Sequence, residues 1–374
     1  MPLQLRSLLR ADGLVELSLA DVPVPQPAAP DEVLVRVEAA PLNPSDLGLL
    51  FGGADVRQAK VSGTAERPIV TAPVSEAAMA AGAARVGHSM PTGNEGAGTV
   101  VAAGSSPAAQ KLLGRKVAVL SGAMYAAYCV APAQQCLALP DGASAAQGAS
   151  CFVNPLTALG MVETLRQGGH DALVHTVGAS NLGQMLNRIC LKDGIGLVSI
   201  VRRPEQAELL RSQGAQHVID SSRPDFAAQL TDAVAATGAR LAFDATGGGR
   251  MAGQLLMAME AALLRRPGLP YSRYGSPVHK QVYIYGYLER GPIELPPGLG
   301  MAWDVGGWLL FPFLQRLDPG RLAQLKQRVA DELTTTFASH YTREVTMAQA
   351  LTLDAIGDYA RMSTGRKMLL RIAA

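Results

Sequence analysis

The sequence predicts an α/β protein, with a doubly wound parallel sheet in the middle of the chain and a β-rich segment before it. Two observations carry this reading. From about Asn154 onward strands and helices alternate, and a βαβαβ order argues for parallel strands joined by helical crossovers. The first ~150 residues instead carry short apolar runs of period two, the mark of strands with one buried side. Length and composition fit. A chain of 374 residues makes two domains or slightly more at roughly 150 residues each. Apolar residues at 48% against 17% charged supply material for two cores, and aromatics at 5% leave those cores to Ala, Leu, Val and Ile.

In the β-rich segment, Glu32 to Ala39 puts Val33, Val35 and Val37 on one face. Gly96 to Ala103 and Lys116 to Leu120 are short apolar runs with glycine close by, which suits strands. Between Gly52 and Pro91 no period is visible in an Ala-, Gly- and Pro-rich stretch. It reads as a long loop with a short helix near Glu76 to Arg85, and loops of that length in compact domains are commonly functional lids or disordered.

The second rhythm begins with a helix over Thr157 to Arg166, broken at Gly168-Gly169, and the strand Ala172 to Thr176. Helix Asn181 to Leu191, strand Gly196 to Val201, helix Pro204 to Gln213 and strand His217 to Ile219 follow. Then come helix Asp225 to Thr237, strand Leu241 to Asp244, helix Met251 to Leu264 and strand Gln281 to Tyr287. Asp318 to Leu333 reads as a helix with Asp318 as N-cap and Pro319 in the first turn. From Tyr341 to Ile372 the pattern returns to mixed and strand-like segments.

Several function classes drop out. The 33 basic and 31 acidic side chains nearly cancel, so there is no electrostatic ground for a nucleic-acid partner. No run of about 18 apolar residues exists, which excludes a membrane-spanning helix. The N-terminal stretch Met1 to Gly13 carries two arginines and no small-residue cleavage site, so a secretory signal is not expected. Cys129, Cys136, Cys151 and Cys190 show no CxxC pair and read as buried thiols of a cytoplasmic protein.

The most informative stretch runs from Ala172 to Arg203: strand, small-residue turn, helix, strand. The turn contains Gly178, Ser180 and Gly183. A dinucleotide pyrophosphate needs close backbone approach and free N–H groups at a helix N-terminus, and small residues provide both. Gly178 and Gly183 hold the outer positions of a GxGxxG pattern, while Ser180 replaces the middle glycine. The next strand ends in Val201-Arg202-Arg203, with no carboxylate before Glu205. NAD sites put an acidic group there for the ribose 2′-hydroxyl, whereas two guanidiniums offer forked donors to a 2′-phosphate. The expected cofactor is therefore NADPH rather than NADH.

In these residues the chain resembles the medium-chain dehydrogenase/reductase superfamily, in its zinc-independent branch of quinone oxidoreductases and 2-enoyl thioester reductases. The resemblance runs over nearly the whole chain. It rests on Pro41-Leu42-Asn43-Pro44-Ser45-Asp46, Gly93-Asn94-Glu95-Gly96-Ala97-Gly98, and Val153-Asn154-Pro155-Leu156-Thr157-Ala158. It continues in Ser180-Asn181-Leu182-Gly183-Gln184, Asp244-Ala245-Thr246-Gly247-Gly248, and Gly365-Arg366-Lys367-Met368-Leu369-Leu370. It implies a Rossmann cofactor domain over residues 153–317, inserted into a GroES-like β-barrel domain formed by residues 1–152 and 318–374. It also implies that Asn43 and Asn94 stand where zinc enzymes place Cys and His ligands, with Val153 at the third position. Neither Asn nor Val can supply the N, S or O ligand set that a catalytic zinc needs, so no metal is expected.

By the same resemblance Asn43, Asn154 and Thr157 line the nicotinamide end, with Asn43 a catalytic candidate. Asn181, Leu182, Ala245, Thr246, Tyr285, Gly286, Trp308 and Leu309 join Gly178, Ser180, Gly183, Arg202 and Arg203 as cofactor residues. Thioester reductases of the family carry a Tyr a few residues beyond this motif, where the chain has Phe51-Gly52-Gly53-Ala54. Tyr125 is the candidate donor in its place, with Tyr128, His88 or water as alternatives. The expected reaction is hydride transfer from NADPH to an activated C=C bond or a quinone. Reduction of 2-enoyl thioesters is one alternative, and an NADPH-binding sensor with little catalysis is another. A small-molecule substrate and a homodimer paired through the strand Lys280 to Tyr287 complete the expectation.

Overall fold

The computed structural model describes residues 1–268, 271–289, 291–361 and 366–372. Gly365, the first residue of the closing motif, lies outside the described residues, as do residues 373–374 of the expected barrel domain. The chain forms two compact units, Met1–Val153 with Lys326–Ala374, and Asn154–Leu325. The second changeover falls at 325/326 rather than 317/318, inside the helix Pro319–Asp331. Asp318 caps that helix as its sequence suggests, its Oδ1 accepting from the N–H groups of Gly320 and Arg321.

The middle unit is built on a six-stranded sheet in which every neighbouring pair is parallel. In spatial order the strands are His217–Asp220, Gly196–Val201, Ala172–His175, Leu241–Asp244, Lys280–Ile284 and Trp303–Gly307. Strand order reverses between Ala172–His175 and Leu241–Asp244, so a crevice opens beyond their C-terminal ends, where doubly wound sheets hold ligands. The central strands are buried on both faces, as parallel strands covered by helices must be. Val174, Val198, Ala242 and Val282 pack against Leu230, Leu255 and Met259 from the helices Phe226–Thr237 and Met251–Leu264.

Two expectations are corrected in this unit. Lys280 to Tyr287 is not the edge of the sheet, because Trp303–Gly307 pairs along its outer side and the strand stops at Ile284. The true edge, Trp-Asp-Val-Gly-Gly, has two glycines and no apolar alternation, so its sequence carries no strand signal. Trp308 is packed rather than presented. It is buried against Phe243 edge-on and against Phe313, with its indole N–H donating to Thr164 Oγ1 at 3.0 Å.

The other unit has two sheets. One holds five strands in the order Lys60–Gly63, Pro68–Pro73, Leu14–Asp21, Leu3–Leu9 and Ser89–Pro91, antiparallel throughout. The second runs Cys136–Ala138, Lys116–Leu120, Glu95–Ala103, Glu32–Pro41, Met368–Arg371 and Arg343–Val345, with Tyr128–Pro132 also paired to Glu32–Pro41. Val33, Val35 and Val37 point into a shared core with Leu17, Val70, Val117, Val119 and Leu370.

The stretch from Gly52 to Pro91 is thereby corrected from loop to sheet. It supplies three strands and the helix Glu76–Ala81, whose N-cap Ser75 accepts from the N–H of Ala78. Pro68–Pro73 alternates buried and half-buried side chains, but prolines at both ends hide it, and Lys60–Gly63 is exposed along its whole length.

Candidate functional site

Strand Ala172–His175 delivers the chain into a tight turn before helix Asn181–Asp193. Ser180 is the N-cap, its hydroxyl accepting from the N–H of Gly183 at 3.0 Å. A Cβ on Gly183 would lie 2.2 Å from the carbonyl oxygen of Gly178, so only glycine lets the helix start this close to the turn. A Cβ on Gly178 would meet the Ser199 Cβ at 2.8 Å, which makes this glycine the contact between turn and neighbouring strand. Val177 is the one non-glycine residue with positive φ among those described, at 57°. A β-branched residue in the left-handed region costs on the order of 1–3 kcal/mol, and such strain gathers at binding turns. The turn thus brings backbone of small residues to the start of a thirteen-residue helix, the geometry of a phosphate-binding helix N-terminus.

Arg202 and Arg203 are both exposed at the end of the adjacent strand, and Arg203 is the N-cap of helix Pro204–Ser212. Across the strand-order reversal, the Asp244 carboxylate organises the next turn. Its Oδ1 accepts from Thr176 Oγ1, from Thr246 Oγ1 and from the Thr246 N–H, while Ala245 N–H donates to Thr176 Oγ1. Gly286 passes close to this turn, since a Cβ there would stand 2.8 Å from the Ala245 oxygen. Tyr285 follows strand Lys280–Ile284, donates its N–H to the Asp244 carbonyl, and sets its hydroxyl 2.8 Å from His175 Nε2. Gly178, Ser180, Gly183, Arg202, Arg203, Ala245, Thr246, Tyr285 and Gly286 therefore all sit at the C-terminal ends of neighbouring strands in one sheet. Asn181 and Leu182 form the first turn of the helix, with Leu182 facing inward.

The remaining predicted residues lie elsewhere. Thr157 is buried and Asn154 half-buried on helix Val153–Gln167. Leu309 is exposed and opens helix Leu310–Arg316, whereas Trp308 belongs to the packing described above. Tyr125 is corrected as a proton donor: it has no exposed surface, and its hydroxyl donates to the Pro41 carbonyl at 2.8 Å. Burial next to Asp46 also holds its hydroxyl well above the ordinary tyrosine range. Of the alternatives, His88 is exposed and Tyr128 half-buried.

Asn43 belongs to a buried polar cluster in the barrel unit that sequence reasoning did not single out. Asn43 Nδ2 donates to Glu95 Oε1, and Glu95 Oε2 accepts from the N–H groups of Phe152 and Val153. Asp46 accepts from the N–H groups of Asn43 and Asn94, one on each oxygen. The three positions that the resemblance equates with zinc ligands thus converge on two carboxylates. Among the described residues no group of three or more His, Cys, Asp or Glu side chains could hold a metal ion. Burial pushes the Asp46 carboxyl up to about 6, against the opposing pull of its two backbone donors, and it raises Glu95 as well. Lys367 lies in the same cluster. Burial brings its ammonium down to about 8, while Glu95 and Asp46 pull the other way. Asp46 and Glu95 stand inside quoted motifs, but nothing in a linear pattern says that their carboxylates are buried.

Residues 29–141 match the alcohol dehydrogenase GroES-like domain. A mitochondrial enoyl-[acyl-carrier-protein] reductase of Xenopus tropicalis is 30% identical over 216 residues, covering 56% of this chain and 53% of that protein. The phthioceranic/hydroxyphthioceranic acid synthase of Mycobacterium tuberculosis is 28% identical over 175 residues, 46% of this chain. This chain spans only 8% of that synthase and about half of the reductase. A crystal structure of a Mesorhizobium loti protein provisionally assigned as an NADPH:quinone reductase superposes with a TM-score of 0.71. That protein is 27% identical, with 95% of this chain and 90% of the other covered. With a GroES-like domain over residues 29–141, a parallel six-stranded sheet and these likenesses, the chain is similar to quinone oxidoreductases and enoyl reductases, consistent with the zinc-independent branch of the medium-chain dehydrogenases/reductases.

Proposed function

We propose that the protein is an NADPH-dependent oxidoreductase acting on an activated C=C bond or a quinone. The observation that carries this reading is the Gly178–Gly183 turn, tight enough to require both glycines at a helix N-terminus, with Arg202 and Arg203 exposed at the end of the next strand. These residues fit a dinucleotide carrying a 2′-phosphate: backbone N–H groups meet the pyrophosphate, and two guanidiniums meet the third phosphate. When bound, the dinucleotide supplies a hydride. The chain's own residues hold it, and the Thr176–Asp244–Thr246 network keeps the neighbouring turn rigid.

Quinone or enone acceptors are favoured over 2-enoyl thioesters by what replaces the family's tyrosine. In the segment Phe51-Gly52-Gly53-Ala54 that stands there, no side chain has a proton to give, and Phe51 is buried and stacked on Tyr359, with ring centroids 6.1 Å apart. A quinone or simple enone can take its proton from solvent. The enoyl reductase relative keeps thioester reduction as the second reading. NADPH oxidation measured with 1,4-benzoquinone, simple enones and medium-chain 2-enoyl-CoA separates them. Turnover of enoyl-CoA alone overturns the first reading, and NADPH binding without turnover of any acceptor favours a sensor.

A homodimer belongs to the same proposal, with the outer strand Trp303–Gly307 as the open edge. A monomeric mass in light scattering would remove it. No helix among the described residues is long and apolar enough to cross a membrane, and four free cysteines support the reducing cytoplasm as its compartment.

A further inference from the structure

His175 ends the strand that leads into the phosphate turn and has no exposed surface. Its ring lies nearly parallel to that of Tyr285, with centroids 5.7 Å apart, and Nε2 stands 2.8 Å from the Tyr285 hydroxyl oxygen. Nδ1 is also buried and has no partner. Burial drives the imidazole down to about 3 and raises the Tyr285 hydroxyl, so both groups are neutral around pH 7. A neutral histidine carries one N–H, which leaves two arrangements. If the proton sat on Nδ1, a buried donor would be orphaned. If it sits on Nε2, only an acceptor lone pair is left over, the less costly of the two. The Tyr285 oxygen then accepts from His175, and its own hydrogen points away from the imidazole. The Asp244 carboxylate lies near enough to act on Tyr285 through its charge, but no hydrogen bond joins the two side chains.

We infer that His175 is a positioning residue whose Nε2–H turns the Tyr285 hydroxyl into a donor for an acceptor oxygen on the nicotinamide riboside half of the dinucleotide. The inference rests on the dinucleotide reading above. His175 ends the strand beside the strand-order reversal and Tyr285 follows a strand on its other side, both at C-terminal strand ends, so the free hydroxyl proton lies at the ligand-holding edge of the sheet, across the reversal from Arg202 and Arg203. The adenylate half, by contrast, falls to Arg202 and Arg203 on a strand one place further out.

The full chain and its His175→Leu, His175→Gln, Tyr285→Phe and His175→Leu/Tyr285→Phe variants are titrated with NADPH by fluorescence and with 2′,5′-ADP by calorimetry. The second ligand lacks the nicotinamide riboside and reports whether the site is folded. His175→Leu and Tyr285→Phe should each weaken NADPH by roughly 5- to 20-fold, and the double variant should be no worse than Tyr285→Phe alone, since one bond depends on the other. His175→Gln, whose amide nitrogen can replace Nε2, should restore affinity to within about twofold of the unaltered protein. All five proteins should bind 2′,5′-ADP alike. Unchanged NADPH affinity in His175→Leu, additive losses in the double variant, or an equal loss for 2′,5′-ADP would each overturn the inference while leaving the dinucleotide reading intact. Failure of the unaltered protein to bind NADPH would remove that reading and this inference together.

Discussion

Asn43 and Glu95 are joined by a buried hydrogen bond of 2.8 Å, Nδ2 to Oε1, between residues fifty-two positions apart. It ties the turn entering helix Pro44–Phe51 to the start of strand Glu95–Ala103. The other Glu95 oxygen is held by two backbone N–H groups, and Asn94 beside it is held by Asp46. Two carboxylates and one ammonium are therefore enclosed together, and their titration is coupled to folding.

The Asp46 carboxyl, near 3.8 in an unfolded chain, is raised to about 6 when folded. Between these values the folded state binds more protons than the unfolded one, so stability falls as pH climbs from about 4 to 6. Asp46→Asn should be less stable overall, because Asn cannot accept both backbone N–H groups. It should also lose about 1–3 kcal/mol of the pH dependence in that window. Denaturation midpoints at pH 4.5 and 7 check this, with Glu95, Tyr125 and Lys367 as the other titratable groups facing Asp46. Equal pH slopes for the two proteins would contradict it.

Gly183→Ala puts a methyl 2.2 Å from the Gly178 oxygen. The turn must open, at a cost of about 1–3 kcal/mol in stability. NADPH affinity should fall at least tenfold, because the backbone can no longer approach the phosphates. Isothermal titration beside a thermal melt reads both effects.

Replacing Arg202 and Arg203 with Ser removes charge-assisted donors worth about 1.5–3 kcal/mol each where they are engaged. With both engaged, NADPH binding should weaken by roughly 100-fold or more while NADH binding stays within about twofold. Affinities for both cofactors, measured in one buffer at two salt concentrations, test the pair. Parallel losses for NADH would assign the arginines to the shared part of the molecule.

Lys280 and Glu260 form an ion pair of 2.5 Å inside the middle unit, and neither side chain reaches solvent appreciably. Glu260 also accepts from the Ser276 N–H, with Gly275 and Gly300 packed round its carboxylate. Lys280→Met alone should cost about 3–5 kcal/mol, because it strands a buried charge. Lys280→Met with Glu260→Leu should recover most of that loss. Urea midpoints for the single and double variants decide the matter.

Tyr125→Phe removes one buried hydrogen bond, to the Pro41 carbonyl, and should cost about 1–2 kcal/mol. Turnover with the best acceptor should stay within about twofold of the unaltered enzyme. A hundredfold loss of kcat with unchanged stability would return this tyrosine to proton transfer.

Most of the parallel unit was legible because its inner strands and their crossover helices each declare themselves in one stretch. Gly196–Val201 is a short apolar run with three β-branched residues, and Met251–Leu264 is a helix apolar enough to pack between sheet and neighbour. Its last strand was hidden for the opposite reason: Trp303–Gly307 draws its stability from Lys280–Ile284, not from its own residues. In the barrel unit, Pro68–Pro73 pairs with a strand some fifty residues earlier, a relation that no local window contains. Site residues divide in the same way. Ser180 and Gly183 act through backbone geometry that their types announce, whereas His175, Asp46 and Lys367 act through burial. An imidazole, a carboxylate or an ammonium does not reveal in sequence which way it faces.

The pairing of Leu370 with Ala40 has a consequence for the order in which the molecule can be made. The strand Glu32–Pro41 leaves the ribosome early, yet its partner Met368–Arg371 emerges only after the whole middle unit has been translated. At roughly 5–20 residues per second, that interval lasts tens of seconds. During it, one flank of Glu32–Pro41 lacks its neighbour strand, while the dinucleotide-holding sheet already has all six of its own. The sheet of the middle unit is thus complete first, and ligand bound there during synthesis would stabilise that unit while the other still lacks its last strands.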